Sequence, residues 1–138
     1  QRATEAGLAV AESQEALFAQ SDVLSLHLRL NEATRGIITA AHLALMKPTS
    51  LLVNTSRAPL IAPGALDAAL KAGQPGRAAV DVFDEEPVIN HPLLALPNLI
   101  ATPHLGYVEK DSYELYFHDA FNNVLAFDSN QPITNLAG

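Results

Sequence analysis

Three side chains far apart in this sequence form a set that could do chemistry. Arg57 closes the polar turn of "LLVNTSRAPL" (residues 51–60), directly after an aliphatic run. A guanidinium held at a strand tip grips a carboxylate or phosphate through two parallel hydrogen bonds, although a surface ion pair is another use for it. His104 stands in "TPHLG", where Pro103 stiffens the approach and Gly106 lets a ligand come close. An imidazole is the natural proton carrier at neutral pH; a hydrogen-bonded structural histidine is the alternative. Glu86 lies in "DVFDEEP", after Asp81 and before a proline. A carboxylate beside an imidazole fixes its tautomer and favours its protonated form, whereas Asp84 and Glu85 read as solvated loop acids. Asp81 ends a buried strand, where an unpaired carboxylate is costly. Together these groups suit a 2-hydroxy or 2-oxo acid: its carboxylate on Arg57, its hydroxyl proton taken by His104. The remaining hydride needs an acceptor that no side chain provides, and a nicotinamide is the obvious one. The other histidines, His27, His42, His91 and His118, show no metal-ligand spacing, and His42 and His118 lie within helical patterns.

The elements that must position these residues alternate between short apolar runs and helical patterns, the signature of βαβ units and a parallel sheet. Strands are predicted at residues 8–10, 23–28, 51–53, 78–82 and 99–101. Helices are predicted over "SQEALFAQ", "TAAHLALM" and "APGALDAALKAG". In the last of these, Pro63 suits the first turn, Leu66 and Leu70 stack at i,i+4, and Gly73 offers a left-handed stop. Residues 109–128 put Tyr113, Tyr116, Phe117, Phe121, Val124 and Leu125 on one helical stripe, read as core packing with an oligomer or second-domain contact as the alternative. Polar clusters follow the strands: "RLNEATRG", "NTSR", "DVFDEEP" and "TPHLGY". Carboxyl ends of parallel strands face one crevice, so four weak signals converge on one edge.

Composition narrows the classes. Hydrophobic residues at 49% and charged residues at 17% suit a packed domain, and 138 residues suffice for one core. A net charge of −7 with scattered basic residues argues against nucleic-acid binding. No apolar run approaches the length of a membrane span, and "QRATEAGLAV" has no secretory-signal pattern. The absence of cysteine excludes disulfides and thiolate metal sites and agrees with a cytoplasmic home.

The runs "SDVLSLHLRLNEATRGIITAAHLALMKPTSLLVNTSR", "AAVDVFDEEP" and "NLIATPHLGY" resemble the D-isomer-specific 2-hydroxyacid dehydrogenases, with family-like order and spacing over residues 11–136. That resemblance implies an α/β fold: a partial Rossmann-type nucleotide-binding domain with a parallel sheet, over residues 1–106, lacking its first βαβ unit. Residues 107–138 would form a long helix returning toward a substrate domain, with "QPITNLAG" as the exit after it. By the same resemblance Arg57 binds the substrate carboxylate, His104 is the general acid/base and Glu86 pairs with His104. Asp81 would face the nicotinamide end of NAD. Leu28, Thr34 and the turn Thr55, Ser56 and Arg57 would line the rest, with Gly106 allowing close approach beside His104. The implied partners are a small 2-hydroxy or 2-oxo acid and a second copy in a homodimer. A carboxylate at position 86, where formate dehydrogenases of the family carry an amide, points to hydroxyacid chemistry.

Departures from the family pattern are Ala58 in place of a glycine, Ala62 in place of a polar helix cap worth about 1 kcal/mol, and Tyr107 in place of a small residue. No two of the seven glycines are two residues apart, so there is no G-x-G-x-x-G phosphate cradle and no ribose-reading acid at its usual spacing. The chain is therefore expected to be the carboxyl-terminal part of a longer enzyme, inactive or nearly so when isolated, with the choice between NAD and NADP made elsewhere. The competing reading is a dinucleotide-responsive regulatory or binding module without catalysis, or an oligomerising remnant.

Overall fold

Aliphatic runs separated by amphipathic stretches fold into a parallel sheet carrying helices. The computed structural model describes residues 2–133 and divides the chain into two units, Gln1–His104 and Leu105–Gly138. In the first unit the elements run α1 (Arg2–Glu5), α2 (Gln14–Gln20), β1 (Val23–Leu26), α3 (Ala40–Ala44), β2 (Leu51–Asn54), α4 (Ala65–Ala72), β3 (Arg77–Val80) and β4 (Leu99–Ala101). Three-ten turns at Ala58–Leu60 and Pro92–Ala95 complete it. The strands pair in sequence order, all parallel, with Val23 opposite Leu51, Leu51 opposite Arg77 and Ala78 opposite Leu99.

Residue alternation decides what the sheet buries. Leu24, Leu26, Leu52, Ala78 and Val80 join Phe18 of α2, Leu43 of α3 and Leu66 and Leu70 of α4 in one core. Local chemistry starts α2 and α3 and stops α4. Ser13 caps α2 by accepting from the Ala16 N–H, and Thr39 with His42 forms a reciprocal capping box on α3. His42 also stacks on Phe18 at 5.3 Å, which gives it a part in packing α3 against α2. Gly73 ends α4 at φ 79, the left-handed conformation expected of it.

Several sequence expectations are corrected. Residues 8–10 form no strand, because a strand exists only within a ladder and none of the four described strands pairs with them; Leu8 and Val10 are exposed. β1 and β3 stop two residues earlier than predicted, where the chain leaves the ladder to form the crevice loops. Pro63 lies ahead of the N-cap, Gly64, rather than in the first turn of α4, and no side chain caps that end.

The second unit holds α5 (Lys110–Asp128), capped by Glu109, which accepts from the Ser112 N–H at 3.1 Å. Its apolar stripe is not core as expected: no residue of α5 is buried, and Phe121 is 64% exposed. The reason is that the described residues of this unit form no second helix or strand for α5 to pack on, and its rings stack along the helix instead. Tyr113–Phe117 and Phe117–Phe121 centroids stand 5.9 and 6.4 Å apart. The described part of "QPITNLAG" is irregular, and its last five residues lie outside the described residues. Among the described residues no helix is long and apolar enough to cross a membrane.

Gly76 sets the entry to β3. A Cβ there would sit 1.8 Å from the carbonyl oxygen of Pro48, a backbone atom that cannot swing aside. Gly76→Ala is therefore expected to lower the urea midpoint, at a cost of about 1–3 kcal/mol or more. An unchanged midpoint would show that the two loops do not approach so closely.

Candidate active site

The turn after β2 is built around one amide. Asn54, the last residue of β2, is 1% exposed; its Oδ1 accepts from the Ser56 N–H at 3.1 Å and its Nδ2 donates to the Arg57 carbonyl at 3.0 Å. This Asx-type closure fixes the four residues of "NTSR". Ser56 then ties the turn to its neighbour, its Oγ donating to the Leu28 carbonyl at 2.8 Å beyond β1. Arg57 is exposed, with extended backbone, and its Nη1 donates to the Ser56 carbonyl at 2.7 Å. Thr55 is exposed in the same turn.

The loops beyond β3 and β4 supply the proton-handling pair. Glu86 accepts from the Phe83 N–H at 2.9 Å through Oε1 and meets His104 Nδ1 at 2.7 Å through Oε2. An ionised carboxylate can only accept, so Nδ1 carries the ring proton and neutral His104 keeps its lone pair on Nε2. Both side chains are about one-third exposed, at 35% and 34%. The Phe83 N–H and then the His104 hydrogen bond hold the Glu86 carboxyl below the usual carboxylate range, against slight desolvation and the nearby Asp81 charge. His104 has φ 58, a left-handed conformation that costs a residue with a Cβ about 1–2 kcal/mol.

Arg57, Glu86 and His104 come together on one cleft of about 300 Å³, with Leu30, Pro59 and Phe83 among its walls. Asp81, 4% exposed, accepts from the Thr102 hydroxyl, and its N–H donates to the Asn54 carbonyl at 3.0 Å. The buried carboxylate that the sequence left without a partner therefore has one. Leu28 and Ser56 line an adjoining cleft with Arg57. Thr34 is occupied in its own loop: its hydroxyl donates to the Arg29 carbonyl at 2.8 Å and accepts from the Asn31 N–H at 2.9 Å. Gly106 falls in the second unit, inside a turn closed by the Val108 N–H on the Leu105 carbonyl at 2.8 Å.

Comparison with known proteins identifies the family of this domain. The family model described as "D-isomer specific 2-hydroxyacid dehydrogenase, NAD binding domain" matches residues 1–106. The chain belongs to that family. Its fold is the Rossmann-like NAD-binding fold of the 2-hydroxyacid dehydrogenases, and NAD(H) is the cofactor such a domain binds. A glyoxylate reductase of Aeropyrum pernix is 41% identical over 125 residues, covering 90% of this chain and 37% of that protein. A glycerate dehydrogenase of Methylorubrum extorquens is 38% identical over 121 residues, covering 86% of this chain and 38% of that protein. The solved structure of a putative D-3-phosphoglycerate dehydrogenase from Ralstonia solanacearum superposes with a TM-score of 0.90 at 56% identity, covering 95% of this chain and 39% of that one. The chain thus spans less than two-fifths of the length of these relatives.

This dehydrogenase-family chain has groups that fit the reactive half of NAD. A buried acceptor, Asp81, stands at the carboxyl edge of β3, near enough to the Glu86–His104 pair for its charge to act on Glu86. The phosphate-cradling glycine run is not in the sequence. Sequence reasoning missed the supporting atoms: Asn54, the Phe83 N–H and Thr102. "NTS" is an Asx-turn signal that could have revealed Asn54; Thr102 is legible only once β3 and β4 are in register.

Because Glu86 titrates below the usual range, its contribution to stability is complete above ordinary carboxylate pH values and is lost as pH falls through its own lowered pKa. A carboxyl 13C titration should place its midpoint below that of glutamate in an unstructured peptide. In His104→Ala the midpoint should rise but stay lowered, because the Phe83 N–H is the larger cause. A midpoint at or above the peptide value would contradict this geometry.

Proposed function

We propose that this chain carries the proton-transfer and carboxylate-binding groups of an NAD-dependent enzyme that interconverts a D-2-hydroxy acid and a 2-oxo acid. The observation that carries the reading is the cleft shared by Arg57, Glu86 and His104, with Glu86 hydrogen-bonded to His104 Nδ1 at 2.7 Å. Relatives named glyoxylate reductase and glycerate dehydrogenase support a small 2-hydroxy or 2-oxo acid as the substrate class.

The hydride acceptor for oxidation and donor for reduction would be supplied by NAD(H) when bound. Arg57 holds the substrate carboxylate, whose planar oxygens suit its paired donors. His104 Nε2 removes the hydroxyl proton during oxidation and returns a proton to the carbonyl oxygen during reduction. Glu86 keeps Nδ1 protonated, presents the lone pair of Nε2 to the substrate, and stabilises the imidazolium that follows. Asp81 would face the nicotinamide end of the cofactor, while Leu28, Thr34, Thr55 and Ser56 would line its further course. Thr34 also serves that course by bracing the loop after β1 through the Arg29 carbonyl. Residues 1–106 act as the nucleotide-binding part and 107–138 as the helix that joins it to the substrate-binding part. The working enzyme is a cytoplasmic homodimer.

The test is NADH consumption by the protein carrying this chain, with glyoxylate and hydroxypyruvate as substrates. His104→Ala should lower kcat by about 10²–10⁴-fold, the usual contribution of a positioned acid/base. Arg57→Lys should raise KM, because an ammonium lacks the paired donors. Equal rates for His104→Ala and the unaltered protein would favour a regulatory module instead.

A further inference from the structure

Arg29, just beyond β1, has no part in the chemistry above. With Arg57 it lines a cleft of about 360 Å³, whose other walls are His27, Leu28, Leu30 and Ser56. Leu30 and Arg57 also line the cleft that holds Glu86 and His104, so the two adjoin. Arg57 borders both, whereas Arg29 borders only the first. Charge makes this cleft unusual. The chain has 15 acidic residues against eight basic ones, yet two of the six residues lining the cleft are arginines and none is acidic. Two guanidinium groups sharing one cavity repel each other, and an anion of more than one charge between them reverses the sign.

The backbone beneath Arg29 is also held in place. Ser56 Oγ donates to the Leu28 carbonyl and Thr34 Oγ1 to the Arg29 carbonyl, each at 2.8 Å, so both peptide groups flanking this arginine are tied down. A side chain rooted on braced backbone loses less freedom when it binds.

We propose that Arg29 is a phosphate-binding, specificity-determining residue: with Arg57 it forms a second anion subsite for a phosphate ester or pyrophosphate, next to the cleft that takes the carboxylate. The ligand chemistry has two sources, the phosphates of a dinucleotide or the phosphate of a phosphorylated hydroxy acid. The subsite rests on the cleft and its charges, so it goes beyond the dehydrogenase reading and does not require it.

The experiment is a titration of the 138-residue chain with inorganic pyrophosphate, followed by amide 1H–15N shifts. Leu28, Arg29 and Ser56 amides should move. Arg29→Ala should raise the half-saturation concentration about tenfold, equivalent to about 1.4 kcal/mol. Arg35→Ala, an exposed arginine outside the cleft, should change it by no more than about twofold. Spectra of the free variants that overlay on the parent show that both fold. Equal half-saturation in Arg29→Ala and the parent, or shifts confined to other regions, would overturn the proposal. Competition then identifies the source: ADP-ribose displacing pyrophosphate at the lower concentration assigns the subsite to the dinucleotide, and 3-phosphoglycerate doing so assigns it to the substrate. Displacement by neither would reduce the site to adventitious anion binding and also overturn the proposal. None of these readouts depends on turnover, so a failure of the dehydrogenase reading would remain distinguishable.

Discussion

One carboxylate holds this site together. Glu86 gives one oxygen to the Phe83 N–H and the other to His104 Nδ1, so a single side chain locks its own loop and aims the imidazole of the next. The Phe83 N–H is the larger cause of its lowered pKa, so the carboxylate form is favoured by its own loop as well as by the histidine. Because an ionised carboxylate offers no proton, the tautomer of His104 follows from the contact itself. The left-handed backbone at His104 is consistent with that demand: an unfavourable conformation persists where surrounding interactions over-determine it.

The parallel sheet explains why groups so distant in sequence meet. Parallel strands all deliver their carboxyl ends to one edge, so the loops after β2, β3 and β4 need only short reaches to bring Arg57, Glu86 and His104 onto one cleft. The loops are then cross-braced. Asn54 closes the Arg57 turn and accepts from Asp81, Ser56 ties that turn to Leu28, and Thr102 satisfies the buried Asp81 carboxylate. These braces exploit backbone groups that leave the ladder at the strand ends and must find partners elsewhere.

Much of this was legible in the sequence, because aliphatic runs and polar exits announce themselves locally. The four observed strands, the helices around Leu43 and Leu66, and the long helix from Lys110 all follow from periodicity and caps. The failures share one cause, which is dependence on partners that a local pattern does not name. Residues 8–10 look like a strand but lack a ladder, and the stripe on α5 looks like core but meets no second helix or strand among the described residues of its unit. Among the site residues, chemical type singled out Arg57, Glu86 and His104. Phe83 and Thr102 escaped notice because one acts through its backbone and the other only across the β3–β4 register. Thr34 is legible by type, whereas its bonds to the Arg29 carbonyl and the Asn31 N–H appear only once that loop has folded.

The most direct measurement of the central contact is the tautomer of the His104 ring, read from its 15N shifts at a pH where the ring is neutral. The proton is expected on Nδ1, with Nε2 unprotonated, and a return to mixed tautomers is expected in Glu86→Gln. A ring protonated on Nε2 in the unaltered chain would contradict that assignment.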